Sequence, residues 1–379
     1  MKSIPGTGTI NLMRKVLLYL KNFDWILFSS VFLLVIYGLV EIYSVSLSQG
    51  DQSLANFKKQ LLFAGIGLVL LFVFAFLDFN DLRETSVYFY VLGVILLVAV
   101  LFFGSTIRGT KGWFNIFGFS FQPVELIKII LILFFSYYYS RANFRFNTLK
   151  HFLLPLFFLA ILAGLVMAQP DFGSAMVLVL LWLAIIVMAG FSKKYLAILI
   201  LAGLLLGGAG WLFYLKPYQK ERIMTFANPK SSPLDQGYNV TQAMIAVGSG
   251  QLIGRGIGFG SQSQLRFLPE SQNDFIFAVI AEELGFLGVI LVLAFFMVFF
   301  HRAIKSLRRV KEDFSTFFIL GAISLIFIEM FINIGMNVGL LPVVGISLPL
   351  VSYGGSALVS TLILVGIMES IIIRSKINY

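Results

Sequence analysis

The sequence contains no cysteine and only two histidines. The missing cysteines exclude disulfide bonds, iron–sulfur clusters and thiol chemistry. Both histidines, His151 and His301, fall in basic loops that the topology below places in the cytoplasm. Interfacial histidines are more common there than metal ligands, so we do not expect a zinc site built from histidine. Charged residues are also scarce: they make up 12% of the chain, about half the proportion in a soluble domain.

The sequence is instead rich in long apolar runs. Hydrophobic residues make up 59% of the chain, and runs of about 20 residues recur, each long enough to cross a hydrocarbon core of about 30 Å as a helix. Their continuous apolarity, without strict alternation, excludes a transmembrane β-barrel. We therefore predict an all-α polytopic membrane protein, a single domain over residues 1–379, with both termini in the cytoplasm and a cytoplasmic N-terminal segment over 1–23. The ten predicted transmembrane helices cover residues 24–46, 57–77, 86–104, 121–140, 151–168, 172–190, 195–214, 273–300, 315–340 and 350–373.

The net charge of +10 does not indicate nucleic-acid binding, because the basic residues follow a topological pattern. Most Lys and Arg residues fall in loops that this topology places in the cytoplasm, as the positive-inside rule requires. The segment 78–85 is a weak exception. Basic loops of this kind orient the chain and contact anionic lipid, so we expect membrane lipid and no nucleic acid as a partner.

One connection is much longer than the others. Residues 215–272 form a predicted extracytoplasmic loop between helices 7 and 8, and loops of this length usually have a function. We predict an amphipathic helix over 238–247, lying on the membrane surface. The glycine-rich run over 248–260 lacks the GK[ST] of a phosphate-binding P-loop and belongs to no βαβ unit. On local grounds we interpret it as a flexible connector.

Several ionisable residues fall within the predicted spans, where a charge costs about 2.5–3.5 kcal/mol and usually marks function. Glu125 and Lys128 are three residues apart and share one helix face, either as a structural pair or as part of a ligand site. The neighbours Glu282 and Glu283 point to different faces of the eighth span. We expect at least one of them to contact a basic or hydrogen-bonding partner such as Lys128. Two further acids receive no assignment, Glu329 and Glu369.

Two aspartates, Asp171 and Asp274, stand at the mouths of predicted spans. Each is explained either as a helix N-cap or as a functional group. A polar stretch of small residues, which includes Ser352, Gly354 and Gly355, also begins the tenth span. Small residues permit close helix packing, and exposed amides at a helix start can also bind an anion. The sequence leaves both explanations open.

Five stretches, taken together, resemble one family of bacterial membrane proteins, the SEDS family (shape, elongation, division and sporulation). They occur in the family's order and cover much of the chain from residue 105 to residue 370, whereas the first 100 residues match in hydropathy only. The resemblance is closest to the elongation branch, RodA, rather than to the division branch, FtsW, although Ser347 replaces a usual proline. The stretches are KGWFNIFGFSFQPVELIK (111–128), MAQPDFGSA (167–175), NPKSSPLDQGYNVTQAMIAVGSGQLIGRG (228–256), FLPESQNDFIFAVIAEELGFLG (267–288) and GLLPVVGISLPLVSYGGSA (339–357).

The resemblance implies ten spans and a peptidoglycan glycosyltransferase of the bacterial cytoplasmic membrane. Such an enzyme polymerises lipid II into glycan strands at the outer face during cell elongation, with inversion at C1 and release of undecaprenyl diphosphate. Asp274 matches the family's essential aspartate and is the expected catalytic base. The implied partners are a class B penicillin-binding protein, which supplies the transpeptidase, and the elongation machinery. The expected substrate-binding or supporting residues are Glu125, Lys128, Asp171, Glu282, Ser352, Gly354 and Gly355.

The diphosphate of the substrate calls for positive charge near the expected base. Arg108 and Lys111, in the outer loop before the fourth span, are our candidates for this contact. A divalent cation, Mg²⁺ or Mn²⁺, could share the task, and the sequence identifies no ligands for it. Three further arginines are alternates for the diphosphate contact, Arg222, Arg255 and Arg266.

Two other functions remain open from the residues alone. A transporter that moves the lipid-linked precursor across the bilayer fits ten spans and buried charges equally well. A scaffold that only activates a partner fits as well. No inverted repeat is visible, and the largest group of polar motifs lies on one face of the membrane, which favours the enzyme.

Overall fold

The computed structural model describes residues 17–49, 51–116, 118–141, 149–190 and 236–377, with a few isolated positions between 191 and 235. Within these ranges the protein is mostly helical. The helices are α1 (Trp25–Gln49), α2 (Asp51–Phe76), α3 (Phe79–Glu84), α4 (Ser86–Phe103), α5 (Pro123–Arg141), α6 (Leu149–Ala168), α7 (Phe172–Met188), α8 (Gln236–Ser249), α9 (Ser261–Gln264), α10 (Ile276–Leu307), α11 (Asp313–Asn337) and α12 (Gly355–Ile377).

Eight of these helices are long and apolar enough to cross a membrane: α1, α2, α4 to α6 and α10 to α12. α7 is a shorter apolar helix of 17 residues. Nine of the ten predicted spans therefore coincide with apolar helices, with ends that differ by a few residues. The remaining predicted span, 195–214, lies outside the described residues, apart from isolated positions. The total of ten spans stays a prediction.

The predicted all-α fold omits one element. A three-stranded antiparallel sheet follows α4, with strands β1 (Ser105–Ile107), β2 (Thr110–Ile116) and β3 (Phe119–Phe121). The turn between the first two strands places Arg108 at φ 51° and Gly109 at φ 81°, which is the left-handed region. β1 and β3 have three residues each and are too short for alternation of polar and apolar residues to reveal them in the sequence.

α12 is largely buried and packs along α2, close to the centre of the bundle. Glycines allow the close approach of the two helices. A Cβ on Gly366 would meet the backbone of Leu71, and a Cβ on Gly355 would overlap the ring of Phe63. Gly355 is therefore a packing residue, which is one of the two explanations that the sequence leaves open.

An ionic cluster joins three helices at the end of the bundle that carries the described chain termini. Asp24, just before α1, accepts hydrogen bonds of 2.6 and 3.1 Å from the guanidinium of Arg302 on α10. Its main-chain amide donates to the carboxylate of Glu369 on α12 (3.1 Å), and the ammonium of Lys376 lies 3.9 Å from the Asp24 carboxylate. Glu369, which the sequence left unassigned, thus joins α12 to the start of α1.

The predicted helix over 238–247 is confirmed by α8, which packs on α10 rather than lying free on a surface. Its buried residues Ala243 and Ala246 belong to a small apolar cluster with Ala278 and Val279 of α10. Alanine at these positions lets the two helices approach closely. The segment 236–249 is therefore part of the helical bundle.

The glycine-rich run after α8 is wrongly interpreted as a flexible connector. Its backbone is bonded to α10, because the amide of Arg255 donates to the carbonyl of Glu282 (3.0 Å). Two glycines make this contact possible, since a Cβ on Gly250 or on Gly254 would overlap the α10 backbone. Composition alone suggested mobility, whereas the glycines serve close backbone packing.

We expect Gly366→Val to lower the free energy of unfolding by about 1–3 kcal/mol, because the added methyl groups must displace the Leu71 backbone. Gly65→Val on α2 is the matched control, since a Cβ at Gly65 meets nothing within 4 Å. Thermal unfolding of the purified protein in detergent measures both. Equal destabilisation by the two substitutions would contradict the packing role.

Candidate functional site at the outer end of the bundle

The expected catalytic residue, Asp274, lies one residue before the N-cap of α10, which is Phe275. Asp274 is thus not itself the N-cap of that helix. Its main-chain carbonyl accepts hydrogen bonds from the side-chain amides of Asn333 (3.0 Å) and Asn337 (2.9 Å) on α11. Two donors on one carbonyl fix the backbone of Asp274 against α11, at the end of the bundle opposite the Asp24 cluster.

α11 carries a polar stripe that leads away from Asp274 into the bundle. Glu329, Asn333 and Asn337 are spaced by four residues and share one helix face. The stripe spans about 12 Å of helix. Asn333 also donates to the carbonyl of Ile346 (2.8 Å), and Asn337 accepts from the amide of Ala278 (3.1 Å). The stripe therefore connects α10, α11 and the loop before α12.

At the inner end of the stripe, Glu329 meets the predicted pair on α5. The ammonium of Lys128 lies 2.9 Å from both carboxylate oxygens of Glu125 and 2.5 Å from Glu329. All three side chains are largely buried. Lys128 thus bridges α5 and α11, and Glu329 gains a partner that the sequence did not identify.

Asp171 is the N-cap of α7, which is one of the two explanations that the sequence left open for it. Its carboxylate accepts hydrogen bonds from the amide (3.0 Å) and hydroxyl (2.8 Å) of Ser174. The side-chain amide of Gln122 also donates to it (3.2 Å), and the main-chain amide of Gln122 donates to the hydroxyl of Ser356 (3.3 Å). Gln122 therefore joins the starts of α5, α7 and α12.

The loop between α11 and α12 passes beside Asp274. Gly345 adopts φ 75°, and a Cβ built on it would lie 3.8 Å from a carboxylate oxygen of Asp274. The hydroxyl of Ser352 donates to the carbonyl of Asn273 (2.7 Å), and the amide of Gly354 donates to the side chain of Gln60 (3.1 Å). Ser352 and Gly354 thus hold this loop against the neighbours of Asp274.

The β1–β2 turn approaches the same region from the other side. Arg108 forms an ion pair with Glu270, four residues before Asp274. The main-chain amide of Lys111 donates to the carbonyl of Gln169 (3.2 Å), two residues before Asp171. Burial raises the pKa of the Tyr353 hydroxyl above its usual value, and the nearby charge of Arg108 partly opposes the rise. Tyr353 therefore stays a neutral hydroxyl in this cluster at physiological pH.

The prediction that Glu282 or Glu283 has a basic or hydrogen-bonding partner is confirmed, but the partner is not Lys128. The carboxylate of Glu282 accepts from the amides of Gln262 (2.8 Å) and Ser263 (3.1 Å) at the start of α9. Glu283 accepts from the amide of Gly258 (3.0 Å). Lys128 lies on α5 and is already bonded to two other acids, so both glutamates serve the segment after α8 instead.

Two of the alternate arginines lie among the described residues. Arg255 donates to the hydroxyl of Ser261 (2.8 Å) on α9. Arg266 adopts φ 63° in the loop that follows α9. Arg222 lies outside the described residues.

Taken together, the end of the bundle opposite the Asp24 cluster holds the carboxylate of Asp274, whose main chain is fixed by Asn333 and Asn337, with the arginine–glutamate pair of the β1–β2 turn nearby. The structure brings Asp171, Ser352 and Gly354 into the loops and helix starts around it. The Glu125–Lys128 pair lies deeper, behind the stripe on α11. A fixed carboxylate with cationic groups at a lipid–water boundary is suited to general-base chemistry on a substrate that carries negative charge.

Comparison with known proteins identifies the family. Residues 24–377 match the FtsW/RodA/SpoVE family of cell cycle proteins. The chain belongs to this family. A peptidoglycan glycosyltransferase, MrdB, of Escherichia coli K12 is 36% identical over 338 residues, which are 89% of this chain and 90% of the relative. Stage V sporulation protein E of Bacillus subtilis 168 is 36% identical over 355 residues, covering 92% and 96% of the two chains.

The family fold is shared with solved structures. One chain of a peptidoglycan synthase complex, described as coordinating polymerization and crosslinking, superposes with a TM-score of 0.79 at 28% identity, covering 93% of this chain and 98% of that one. The crystal structure of RodA, the rod shape determining protein of Thermus thermophilus, gives a TM-score of 0.70 at 25% identity and covers 94% and 98%. The FtsW/RodA/SpoVE fold thus extends over nearly the whole chain.

Sequence reasoning missed most of the uncharged polar residues of the site. Asn333 and Asn337 were not singled out, although their spacing of four residues within an apolar helix is a usable signal. Gln122 and Tyr353 lie in quoted motifs without an assigned role. Gln60, which holds Gly354, is isolated on α2 and offers no pattern to recognise.

We expect Lys128→Met to destabilise the protein by about 3–5 kcal/mol, because it leaves Glu125 and Glu329 buried without their cation. Adding Glu125→Gln and Glu329→Gln should restore part of the loss. The exposed Lys58 provides a control, and Lys58→Met should change stability by less than about 0.5 kcal/mol. Unfolding in denaturant measures all three. A triple variant no more stable than Lys128→Met would refute the ionic account.

Proposed function

We propose that the chain is a peptidoglycan glycosyltransferase that polymerises lipid II into glycan strands at the outer face of the bacterial cytoplasmic membrane. Relatives that carry this name align with about nine-tenths of the chain, including the E. coli protein at 36% identity. The observation that carries the proposal is the fixed carboxylate of Asp274 at the outer end of a bundle of this family.

The chemistry of the transfer requires a base at this place. A β-1,4 bond formed from an α-linked lipid diphosphate requires inversion at C1. In our proposal Asp274 takes the proton of the acceptor 4-hydroxyl as that oxygen attacks C1 and the bond from C1 to the diphosphate oxygen breaks. The products are the lengthened glycan and undecaprenyl diphosphate. The hydrogen bonds from Asn333 and Asn337 to the main chain of Asp274, which we call the clamp, hold the base in position. Substrate binding therefore does not have to order the base.

The leaving diphosphate needs positive charge, and the β1–β2 turn supplies candidates. Arg108 is half exposed and pairs with Glu270, so a bound diphosphate would compete with that carboxylate for the guanidinium. Lys111 lies on β2, whose backbone is bonded to the loop before Asp171. We therefore keep Arg108 and Lys111 as the proposed diphosphate contacts.

A divalent cation would have few protein ligands here. Among the described residues no group of three or more His, Cys, Asp or Glu side chains could hold a metal ion. Mg²⁺ often binds through substrate phosphates with one or two carboxylates, so Asp171 or Asp274 would be the protein ligand. In our proposal Mg²⁺ or Mn²⁺ would neutralise charge on the leaving diphosphate.

We further propose that the enzyme acts in cell elongation beside a class B penicillin-binding protein. A solved relative belongs to a complex described as coordinating polymerization and crosslinking, which supports a crosslinking partner. The RodA relative is described as a rod shape determining protein, which supports the elongation branch. The names of the relatives describe glycosyltransferases rather than transporters, and we do not pursue the flippase alternative.

Asp274→Asn should abolish glycan polymer, because the amide cannot accept the proton of the 4-hydroxyl. We expect a loss of at least about a hundredfold, the lower end of general-base effects. Gel analysis of polymer from purified protein and lipid II measures it, and Glu84→Gln, at an exposed acid that ends α3, is the matched control. If a preparation of the Asp274→Asn variant that contains no other glycosyltransferase still makes polymer, Asp274 is not the catalytic base.

Asn333→Ala should lower kcat with little change in KM, because it removes one of the two bonds that fix the Asp274 backbone. Loss of a positioning hydrogen bond is worth about 0.5–1.5 kcal/mol, or up to roughly tenfold in rate. Steady-state kinetics on lipid II give the split between the two constants. An unchanged kcat in a folded variant would show that the clamp does not position the base.

A further inference from the structure

The glycine-rich segment between α8 and α9 exposes large apolar side chains on a firmly held backbone. Leu252 is 68% exposed, Ile253 77% and Phe259 76%. The carbonyls of Gln251 and Leu252 accept from the amides of Phe286 (2.9 Å) and Leu287 (3.1 Å) on α10. A contiguous apolar surface of this kind marks contact with a partner or with lipid.

The segment is inserted into the hydrogen-bond ladder of α10. In an uninterrupted helix, the amides of Phe286 and Leu287 would bond to the carbonyls of Glu282 and Glu283. Those carbonyls instead accept from the segment, through the amides of residues 255 and 256 (3.0 and 2.8 Å). The regular helix is interrupted at Gly285, which adopts the non-helical angles φ 65° and ψ −161°. The exchange fixes the height of the segment along α10.

The side chains of Glu282 and Glu283 also accept hydrogen bonds from this irregular backbone. Glu282 accepts from the first amides of α9, and Glu283 accepts from the amide of Gly258 and from the side chain of Gln264 (2.9 Å). In hydrocarbon, irregular backbone is tolerated only where its polar groups are bonded within the protein. In the segment, the main-chain amides of residues 254, 255, 256, 258 and 259 are bonded within the protein.

The length of α10 places the segment relative to the bilayer. Arg302, in the ionic cluster with Asp24, marks the inner boundary of the apolar region. From Arg302 to Leu287 there are 15 residues, or about 22 Å of helix. The hydrocarbon core is about 30 Å thick, so Leu252, bonded at Leu287, lies about 8 Å inside its outer boundary. Any tilt of α10 only places it deeper.

We propose that residues 250–260 form a re-entrant wedge whose apolar side chains contact the acyl chains of the outer leaflet. The exposed Arg255 is bonded at Glu282, about 30 Å of helix from Arg302, and therefore lies at the outer boundary of the hydrocarbon. The helix α9 follows the wedge directly and is bonded to the chain before Asp274, since the amide of Leu268 donates to the carbonyl of Gln262 (3.0 Å). The members of the wedge that face lipid are Leu252, Ile253, Ile257 and Phe259.

The absence of cysteine makes a direct test of depth possible. Single variants Ile253→Cys and Phe259→Cys carry a nitroxide label in the full chain, reconstituted alone in phosphatidylglycerol–phosphatidylethanolamine vesicles. Continuous-wave EPR compares label collisions with oxygen, which concentrates in lipid, and with a water-soluble nickel chelate. Ile95→Cys in the middle of α4 is the lipid reference, and Thr106→Cys on β1 is the aqueous reference.

Nickel collisions at Ile253 should be several-fold lower than at Thr106, with oxygen collisions close to those at Ile95. Nickel access at Ile253 equal to that at Thr106 would overturn the proposal. A segment that is covered by a partner protein rather than by lipid would give this result, because the chain is reconstituted alone. A second readout comes from Ile253→Asp, which should lower the thermal stability in vesicles more than in detergent. Neither readout depends on glycan polymerisation, so the outcome is independent of the proposed function.

Discussion

The structure depends on one constraint: a polar group surrounded by hydrocarbon needs its partner within the protein. The buried ammonium of Lys128 bonds to Glu125 and Glu329 and so joins α5 to α11. The carboxylates of Glu282 and Glu283 bond to backbone amides of the segment after α8. Each of these buried charged residues therefore connects two elements. Apolar packing alone would not fix the relative positions of those elements, because lipid is as apolar as the helix faces.

The same constraint explains why the proposed base is well placed. Asn333 and Asn337 sit in an apolar helix and have to be bonded, and the carbonyl of Asp274 is one of their acceptors. The carboxylate of Asp274 is then positioned by a main chain that is bonded from inside the bundle. A base on a loop held only by water would have to be ordered during each turnover.

The sequence predicted the helices well and the contacts between polar residues poorly. Apolar runs define spans because lipid imposes one length and one composition. The glycine run 248–260 was misjudged, since composition cannot distinguish a mobile glycine from one that permits close backbone contact. Lys128, named as an example of a partner for Glu282 or Glu283, is bonded to other acids, because partners in different helices depend on the rotation and height of each helix. Asp274 was identified by family resemblance, and its local sequence alone also allowed a helix cap.

The contacts on the two sides of the Asp274 loop differ in strength. On the α11 side the contacts are hydrogen bonds from two fully buried asparagines, and leaving a buried polar group unpaired costs about 1–3 kcal/mol. On the other side the loop is held by the half-exposed ion pair of Arg108 with Glu270, and exposed pairs contribute about 0–1 kcal/mol. In the proposed function a substrate diphosphate replaces Glu270 at Arg108, which breaks only this weaker contact. That exchange leaves the hydrogen bonds of Asn333 and Asn337 to Asp274 intact.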